Sequence, residues 1–256
     1  MKYYDDFLTM KSFRFADAVK LIGNEKSAKS LLQQYKKKGY IALIKKGLYV
    51  AVNIVDKEPV LNKFAIASVL TDTSLVSFRS AFEYYGYTNQ VSYAVSVTSE
   101  QKFNSFDFNG YNFQRMAPSI KSGVSIQSDG VRVSDIERTV LDSINSFEEQ
   151  MGLEELLNCI SSVPLLDEEK LLLYLEEYKK QFLYQKTGFL LEHFQNELSI
   201  SSSFLDACKL KSGKSSRYLV KDMPKDVMSF DAKWHLTYPA NMWTDMLNGG
   251  YEDADI

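Results

Sequence analysis

The chain has 256 residues, of which 45% are hydrophobic and 25% charged. This composition is that of an ordinary globular protein and excludes a collagen-like, low-complexity or largely disordered chain. Its two cysteines, Cys159 and Cys208, give no disulfide framework and no Cys-x-x-Cys pair. The first ten residues lack the apolar segment of a signal peptide, and no run approaches the roughly 18 apolar residues of a membrane span. We therefore expect a cytoplasmic protein with two buried, inert thiols.

The formal net charge of −3 conceals a strong asymmetry along the chain. Residues 1–53 contain eleven Lys and Arg against four Asp and Glu, a local charge of +7. The remaining residues contain nineteen basic and twenty-nine acidic side chains, a local charge of −10. This difference indicates that the N-terminal segment meets a polyanion and the rest does not. Two unrelated solvated surfaces would give the same count.

The N-terminal segment is predicted to contain three short helices followed by a β-hairpin. Apolar residues at helical spacing predict the helices at residues 3–10, 15–21 and 26–38. Two β-type runs follow at 40–44 and 48–52, joined by a turn that contains Gly47. This order predicts a winged helix-turn-helix over residues 1–57.

The third helix has a face suited to DNA. Its predicted core positions, Ala28, Leu31, Leu32 and Tyr35, leave only basic, amide and hydroxyl side chains facing outward after Glu25. Lysines neutralise phosphates, whereas glutamine and serine can bond to base edges in the major groove. A solvated, lysine-rich helix in a protein-binding domain is the alternative. The candidate DNA-binding residues, including two in the hairpin turn, are Lys26, Ser27, Lys29, Ser30, Gln33, Gln34, Lys37, Lys45 and Lys46.

Beyond a polar linker placed at 54–59, residues 58–256 are predicted to form a helix-rich α+β body. The helices are expected at 60–70, 77–85, 135–144, 148–161, 167–183 and 185–198, and the strands at 92–98, 111–116, 131–133, 218–220 and 234–237. Ser77 is a candidate N-cap, and Ser134 with Glu137 fits a capping box. Arg138 and Asp142 are four apart and should pair on one helix face. The acidic end, 251–256, is expected to fray.

The sequence contains no convincing catalytic, cofactor or metal motif. Ser212-Gly213-Lys214-Ser215 includes a Gly-Lys-Ser, but a phosphate-binding loop requires glycine where Cys208 stands. The two histidines, His193 and His235, have no ligand-like spacing, so we expect no enzyme and no metal site. A second basic surface is a further candidate, with a solvated loop as its alternative; its residues are Lys209, Lys211, Lys214, Arg217 and the nearby Lys221.

Several segments resemble the AbiEi-type antitoxins of bacterial abortive-infection (type IV) toxin–antitoxin systems, which act in phage defence. The resemblance spans residues 15–142, over half the chain. Behind the N-terminal helices and hairpin it continues at 77–81, in Tyr85-Gly86 and at 134–142. Its most specific parts are Ser77-Phe78-Arg79-Ser80-Ala81 and Ile136-Glu137-Arg138-Thr139-Val140-Leu141-Asp142.

This resemblance implies a protein of two parts. The N-terminal part would bind inverted repeats in double-stranded operator DNA and repress its own operon. The C-terminal part, 58–256, would counter a cognate nucleotidyltransferase toxin without requiring a stable complex. Two other classes stay open: a winged-helix transcription factor that senses a small ligand, and an enzyme that modifies a toxin.

Overall fold

The computed structural model describes residues 2–88, 90–221 and 224–244, which form a mixed α+β protein. The predicted α+β class is confirmed. The helices are α1 Tyr4–Met10, α2 Phe15–Ile22, α3 Glu25–Lys37, α4 Lys63–Val69, α5 Arg79–Tyr85, α6 Ile136–Gln150, α7 Leu153–Ser161, α8 Glu168–Tyr178, α9 Gln181–His193 and α10 Ser202–Lys211. The strands are β1 Ser12–Arg14, β2 Ile41–Lys45, β3 Leu48–Ala51, β4 Leu75–Val76, β5 Ala94–Thr98, β6 Phe106–Phe108, β7 Tyr111–Met116, β8 Val124–Ile126, β9 Arg132–Ser134, β10 Arg217–Tyr218, β11 Met228–Asp231 and β12 Leu236–Pro239. In the described part of the chain, no helix combines the length and apolarity needed to cross a membrane. The predicted tail, 251–256, lies outside the described residues.

The chain divides into two compact units. The first contains residues 1–76, 93–117 and 126–132, and the second contains the intervening segments and everything from residue 133 onward. The units therefore do not divide the chain at residue 57. Residues 58–76 belong to the same unit as the N-terminal helices. Independent folding of residues 1–57 stays a prediction.

The N-terminal helices and hairpin form as the sequence predicts. α2 ends at Gly23, whose φ of 79° lies in the left-handed region that glycine adopts without strain. α3 begins after Asn24, whose side chain accepts a hydrogen bond of 2.9 Å from the backbone N–H of Ser27. β2 and β3 pair as an antiparallel hairpin, and β1 adds to the other side of β3, giving the order β1-β3-β2. The strand β1 was not predicted.

The predicted linker at 54–59 is instead a closed turn. Val52 and Pro59 form a β-bridge, and the backbone N–H of Asn53 donates to the carbonyl of Glu58 at 2.9 Å. The Asn53 side chain accepts from the N–H of Val55, and that of Asp56 accepts from Glu58. The polar side chains of this segment form these hydrogen bonds to the backbone, and the bonds fold the chain back onto the hairpin.

A second sheet in the first unit follows the order β6-β7-β5-β4. β5 and β7 run parallel, whereas β6 with β7 and β4 with β5 are antiparallel. β4, β6 and β8 have only two or three residues each, too short to give a two-residue periodicity in the sequence.

The second unit is mainly helical. Helices α6 to α10 pack around one apolar core, together with a small sheet of order β10-β12-β11. The helix α10 was missed in the sequence. Its N-cap is Ser201, whose hydroxyl accepts from the N–H of Phe204 at 3.1 Å.

Two predicted helix starts are each wrong by one residue. α5 is preceded by Phe78, not Ser77, and the Ser77 side chain is buried. α6 is capped by Asp135, whose carboxylate accepts from the N–H of Arg138 at 3.0 Å, so Ser134 and Glu137 form no capping box. Adjacent Ser and Asp are both competent caps, and the sequence pattern does not choose between them.

Candidate nucleic-acid interface

The helix α3 separates apolar from polar residues as predicted. Ala28, Leu32 and Tyr35 are buried, and Leu31 is half-buried. All the predicted outward positions are exposed. These are Lys26, Ser27, Lys29, Ser30, Gln33, Gln34, Lys36 and Lys37.

Aromatic packing holds α3 in place. The Tyr35 ring meets Phe7 of α1 and Tyr40 edge-on, with ring centroids 6.1 Å and 5.4 Å apart. Phe7 in turn stacks on Phe13 of β1 at 4.3 Å. Because the buried face is fixed by these rings, the exposed face is presented on a rigid support.

The exposed face of α3 carries a single carboxylate. Glu25 lies in the first turn and Lys36 and Lys37 in the last, an arrangement that complements the helix dipole. Between Lys26 and Lys37 every exposed side chain is cationic, amide or hydroxyl. Such a surface can neutralise phosphates and also exchange hydrogen bonds with base edges.

A cleft of about 190 Å³ lies beside this face. Leu32 of α3, Phe15 of α2 and two hairpin residues, Leu43 and Tyr49, give it an apolar lining. The polar residues lining it all come from α3 and are Lys29, Gln33 and Lys36. Phe15, Leu43 and Tyr49 were not predicted as site residues, because nothing in the sequence shows that three separate elements meet at α3.

The two lysines of the hairpin turn differ. Lys46 is exposed, whereas Lys45 is half-buried with its Nζ 4.9 Å from the centre of the Phe103 ring. Burial, and secondarily the positive charge of Arg14, lowers the pKa of Lys45. Lys46 is therefore the better phosphate contact of the two, and Lys45 contributes packing as well as charge.

The side chains of the candidate second basic surface each contact a different partner. Lys209 donates to the carbonyl of Lys233, and Lys211 pairs with Glu176 at 3.2 Å. The Arg217 guanidinium lies 5.1 Å from the centre of the Phe182 ring, and Lys214 is exposed. Closeness in sequence does not place these cations on one anion-binding face.

The cysteines, the histidines and the Gly-Lys-Ser segment show no arrangement suited to catalysis among the described residues. Burial raises the pKa of both Cys159 and Cys208 to about 12, so their thiols stay protonated. His193 stacks on Trp243 with ring centroids 3.7 Å apart, and His235 is half-buried. The Gly213-Lys214-Ser215 segment follows α10 in a loop. No cluster of three or more potential metal ligands occurs among the described residues.

The most specific segment of the family resemblance is buried inside the second unit. Arg138 Nε lies 3.2 Å from Asp142 Oδ2, and both residues are nearly inaccessible. Tyr178 donates to the same carboxylate, and Arg138 Nη1 donates to the carbonyl of Ser122 at 2.7 Å. The predicted pairing of Arg138 and Asp142 is confirmed, and these contacts indicate a structural role for the segment.

Comparison with known proteins gives a likeness of fold. No protein-family model matches the chain, and no curated protein matches it in sequence. The crystal structure of the RV2827C protein from Mycobacterium tuberculosis is similar, with a TM-score of 0.63 over 93% of this chain and 89% of that one. The two sequences are 10% identical, so the likeness concerns the fold alone.

Proposed function

We propose that the chain is a DNA-binding autorepressor whose N-terminal residues form a winged helix-turn-helix. The observation that carries this proposal is the exposed face of α3, which is free of carboxylates from Lys26 to Lys37. In this arrangement α3 enters the major groove and the β2–β3 turn lies beside it as the wing. The pairing of β1 with β3 supports it, because that strand anchors the hairpin to the helices.

The roles of the α3 side chains follow from their chemistry. Lys26, Lys29 and Lys37 neutralise phosphates, together with Lys46 from the turn. Ser30 and Gln33 read base edges. The cleft beside Gln33 offers apolar contact, which suits a thymine methyl group.

Replacing Lys26, Lys29 and Lys37 together with Ala should weaken binding of the full chain to any duplex. Each lost phosphate contact should reduce the slope of log affinity against log salt by about 0.9. Gln33→Ala should instead lower discrimination between operator and scrambled DNA, by about 1–3 kcal/mol for one base contact. Fluorescence anisotropy at several salt concentrations measures both effects.

Lys214→Ala is the matched control, because it removes an exposed lysine from the second unit. It should leave affinity and salt dependence as in the parent protein. An unchanged slope in the triple variant would remove α3 from the interface. Equal losses on operator and scrambled DNA for Gln33→Ala would exclude base reading by that residue.

We also propose that the second unit supplies the antitoxin activity implied by the resemblance to AbiEi-type proteins. The partner would be a nucleotidyltransferase toxin encoded beside this chain. If the two activities are separable, the triple lysine variant should lose operator repression and still rescue cells. The toxin would be expressed from an unrelated promoter, and growth and a promoter–reporter would be scored in parallel.

Two outcomes would contradict this division of labour. Loss of rescue in a folded triple variant would mean that the α3 lysines are needed for antitoxin activity itself, so the two activities are not separable. Absence of rescue by the parent protein would remove the antitoxin activity and favour a ligand-sensing transcription factor. Circular dichroism of the purified variant establishes that it is folded.

A further inference from the structure

A cleft of about 260 Å³ in the second unit contains a buried lysine. It lies among the end of α6, the start of α9 and the segment after β10. Lys186 of α9 lines it and is only 7% exposed. Lys180 and Lys221 line the same cleft and are exposed, so the cleft opens to solvent.

An irregularity in α6 shapes this cleft. The backbone leaves helical geometry at Ser146, with φ −138° and ψ 26°. At this break the carbonyl oxygen of Asn145 accepts a hydrogen bond of 3.2 Å from Lys186 Nζ. The Asn145 side chain accepts another of 3.2 Å from Lys180 Nζ. The break therefore brings two lysines to one residue.

Lys186 lacks the partner that a buried lysine usually has. Its Nζ lies 5.2 Å and 5.1 Å from the ring centres of Phe147 and Phe182, and no described carboxylate forms an ion pair with it. Aromatic faces and one carbonyl stabilise an ammonium less well than a carboxylate does. A buried cation with incomplete compensation beside an open cleft is a typical feature of a binding site.

The cleft is also lined by two carboxylates. Glu148 and Glu149 of α6 line it, and Glu148 Oε1 accepts from the backbone N–H of Lys221 at 2.8 Å. Burial lowers the pKa of Lys186 to about 8. The charge of Glu148 acts in the opposite direction, and the smaller effects of Lys180 and Lys221 lower the pKa further. An anion entering the cleft would offset both the burial and the repulsion.

We propose that this cleft binds the phosphate group of a small ligand, with Lys186, Lys180 and Lys221 as its cationic contacts. The start of α9 adds to the attraction, because its N-cap, Lys180, supplies no side-chain cap to the first amides. The volume is slightly below the range of about 300–1,000 Å³ for most ligand pockets, which suits a small phosphate compound. This site is independent of the DNA-binding proposal, and either can fail alone.

Isothermal titration calorimetry of the full chain tests the site, with inorganic phosphate, adenosine 5′-monophosphate and adenosine as probes. Both phosphates should bind and adenosine should not. At a pH of about 8 Lys186 is half-protonated, so binding of a dianion should take up protons. Titration in two buffers of different ionisation enthalpy measures this uptake.

Lys186→Met should lower phosphate affinity about tenfold to a hundredfold and abolish the proton uptake. Lys180→Ala combined with Lys221→Ala, both at exposed positions, should weaken binding and reduce the uptake, because both charges lower the pKa of Lys186. The affinity of this double variant tests the site if Lys186→Met fails to fold. Lys214→Ala is the control and should change neither quantity.

Binding of inorganic phosphate alone would identify it as the ligand, and tighter binding of the monophosphate would identify an organic phosphate. Three results would overturn the proposal. These are no binding of either phosphate at millimolar concentration, equal binding of adenosine, and unchanged phosphate affinity in the double lysine variant.

Discussion

Replacing Arg138 with Met should lower the free energy of unfolding by about 3–5 kcal/mol, the cost of breaking a buried ion pair. Arg138 is 1% exposed and Asp142 2% exposed, so the substitution leaves a buried carboxylate without its guanidinium partner. Tyr178 would remain the only described side chain bonded to the Asp142 carboxylate. The carbonyl of Ser122 would also lose its donor.

The deficit of Arg138→Met should depend on pH. Burial already raises the pKa of Asp142, while Arg138 and Tyr178 act in the opposite direction. Without Arg138 that pKa rises further, so the folded state of the variant holds a proton that the unfolded state releases. Stability contributed by such a group is complete below the unfolded pKa and is lost as pH rises through the folded one. Urea denaturation should therefore show a larger deficit at neutral than at acidic pH.

Lys211→Met is the matched control for this experiment. It breaks the pair with Glu176, whose two side chains are 55% and 63% exposed, and should cost less than about 1 kcal/mol. A loss for Arg138→Met no larger than that for Lys211→Met would show that the buried pair contributes little to the stability of the second unit. The most specific segment of the family resemblance would then need another explanation.

Gly188→Ala should destabilise the second unit by about 3 kcal/mol, at the upper end of overpacking effects. A Cβ at this position would lie 2.1 Å from Cη2 of Trp234. The indole cannot move easily, since it is fully buried and its Nε1 donates to Glu192 at 2.6 Å. Helix propensity acts in the opposite direction, because Ala is favoured over Gly by about 1 kcal/mol in a helix interior. The steric effect is larger and decides the sign.

A double-mutant cycle measures whether Trp234 is the cause. Trp234→Phe makes room, so Gly188→Ala should cost less in its presence than in the parent protein. Gly213→Ala is the control, because the nearest atom to its Cβ would be the Gln181 Oε1 at 3.4 Å. Thermal unfolding that is unaltered by Gly188→Ala would show that α9 and the indole are not in the close contact described.

Local periodicity was sufficient to predict the N-terminal helices and hairpin. Features that depend on contacts between distant residues could not be predicted from it. The apolar spacing in α3 fixed which side chains are buried, and Gly23 marked the end of α2 correctly. The contact between Gly188 and Trp234 joins residues far apart in sequence, so no local pattern could reveal it.

The candidate sites show the same limit. The α3 face was predictable because one helix supplies it. By contrast, the basic cluster at 209–217 looked like a surface because its members are neighbours in sequence, whereas their partners come from other elements. The cleft that contains Lys186 was not predicted, because its lining residues are far apart in sequence. Lys186 belongs to α9, whereas Lys221 lies in the segment after β10.

The burial of Cys159 and Cys208 makes the native chain a convenient one for attaching probes. Maleimides and methanethiosulfonates react with thiolates, and at neutral pH both thiols are protonated and shielded from reagent. A cysteine introduced at the exposed Lys46 would then be the single reactive thiol of the folded protein. A fluorophore or spin label could thus report on the β2–β3 turn as DNA is added, with both native cysteines left in place.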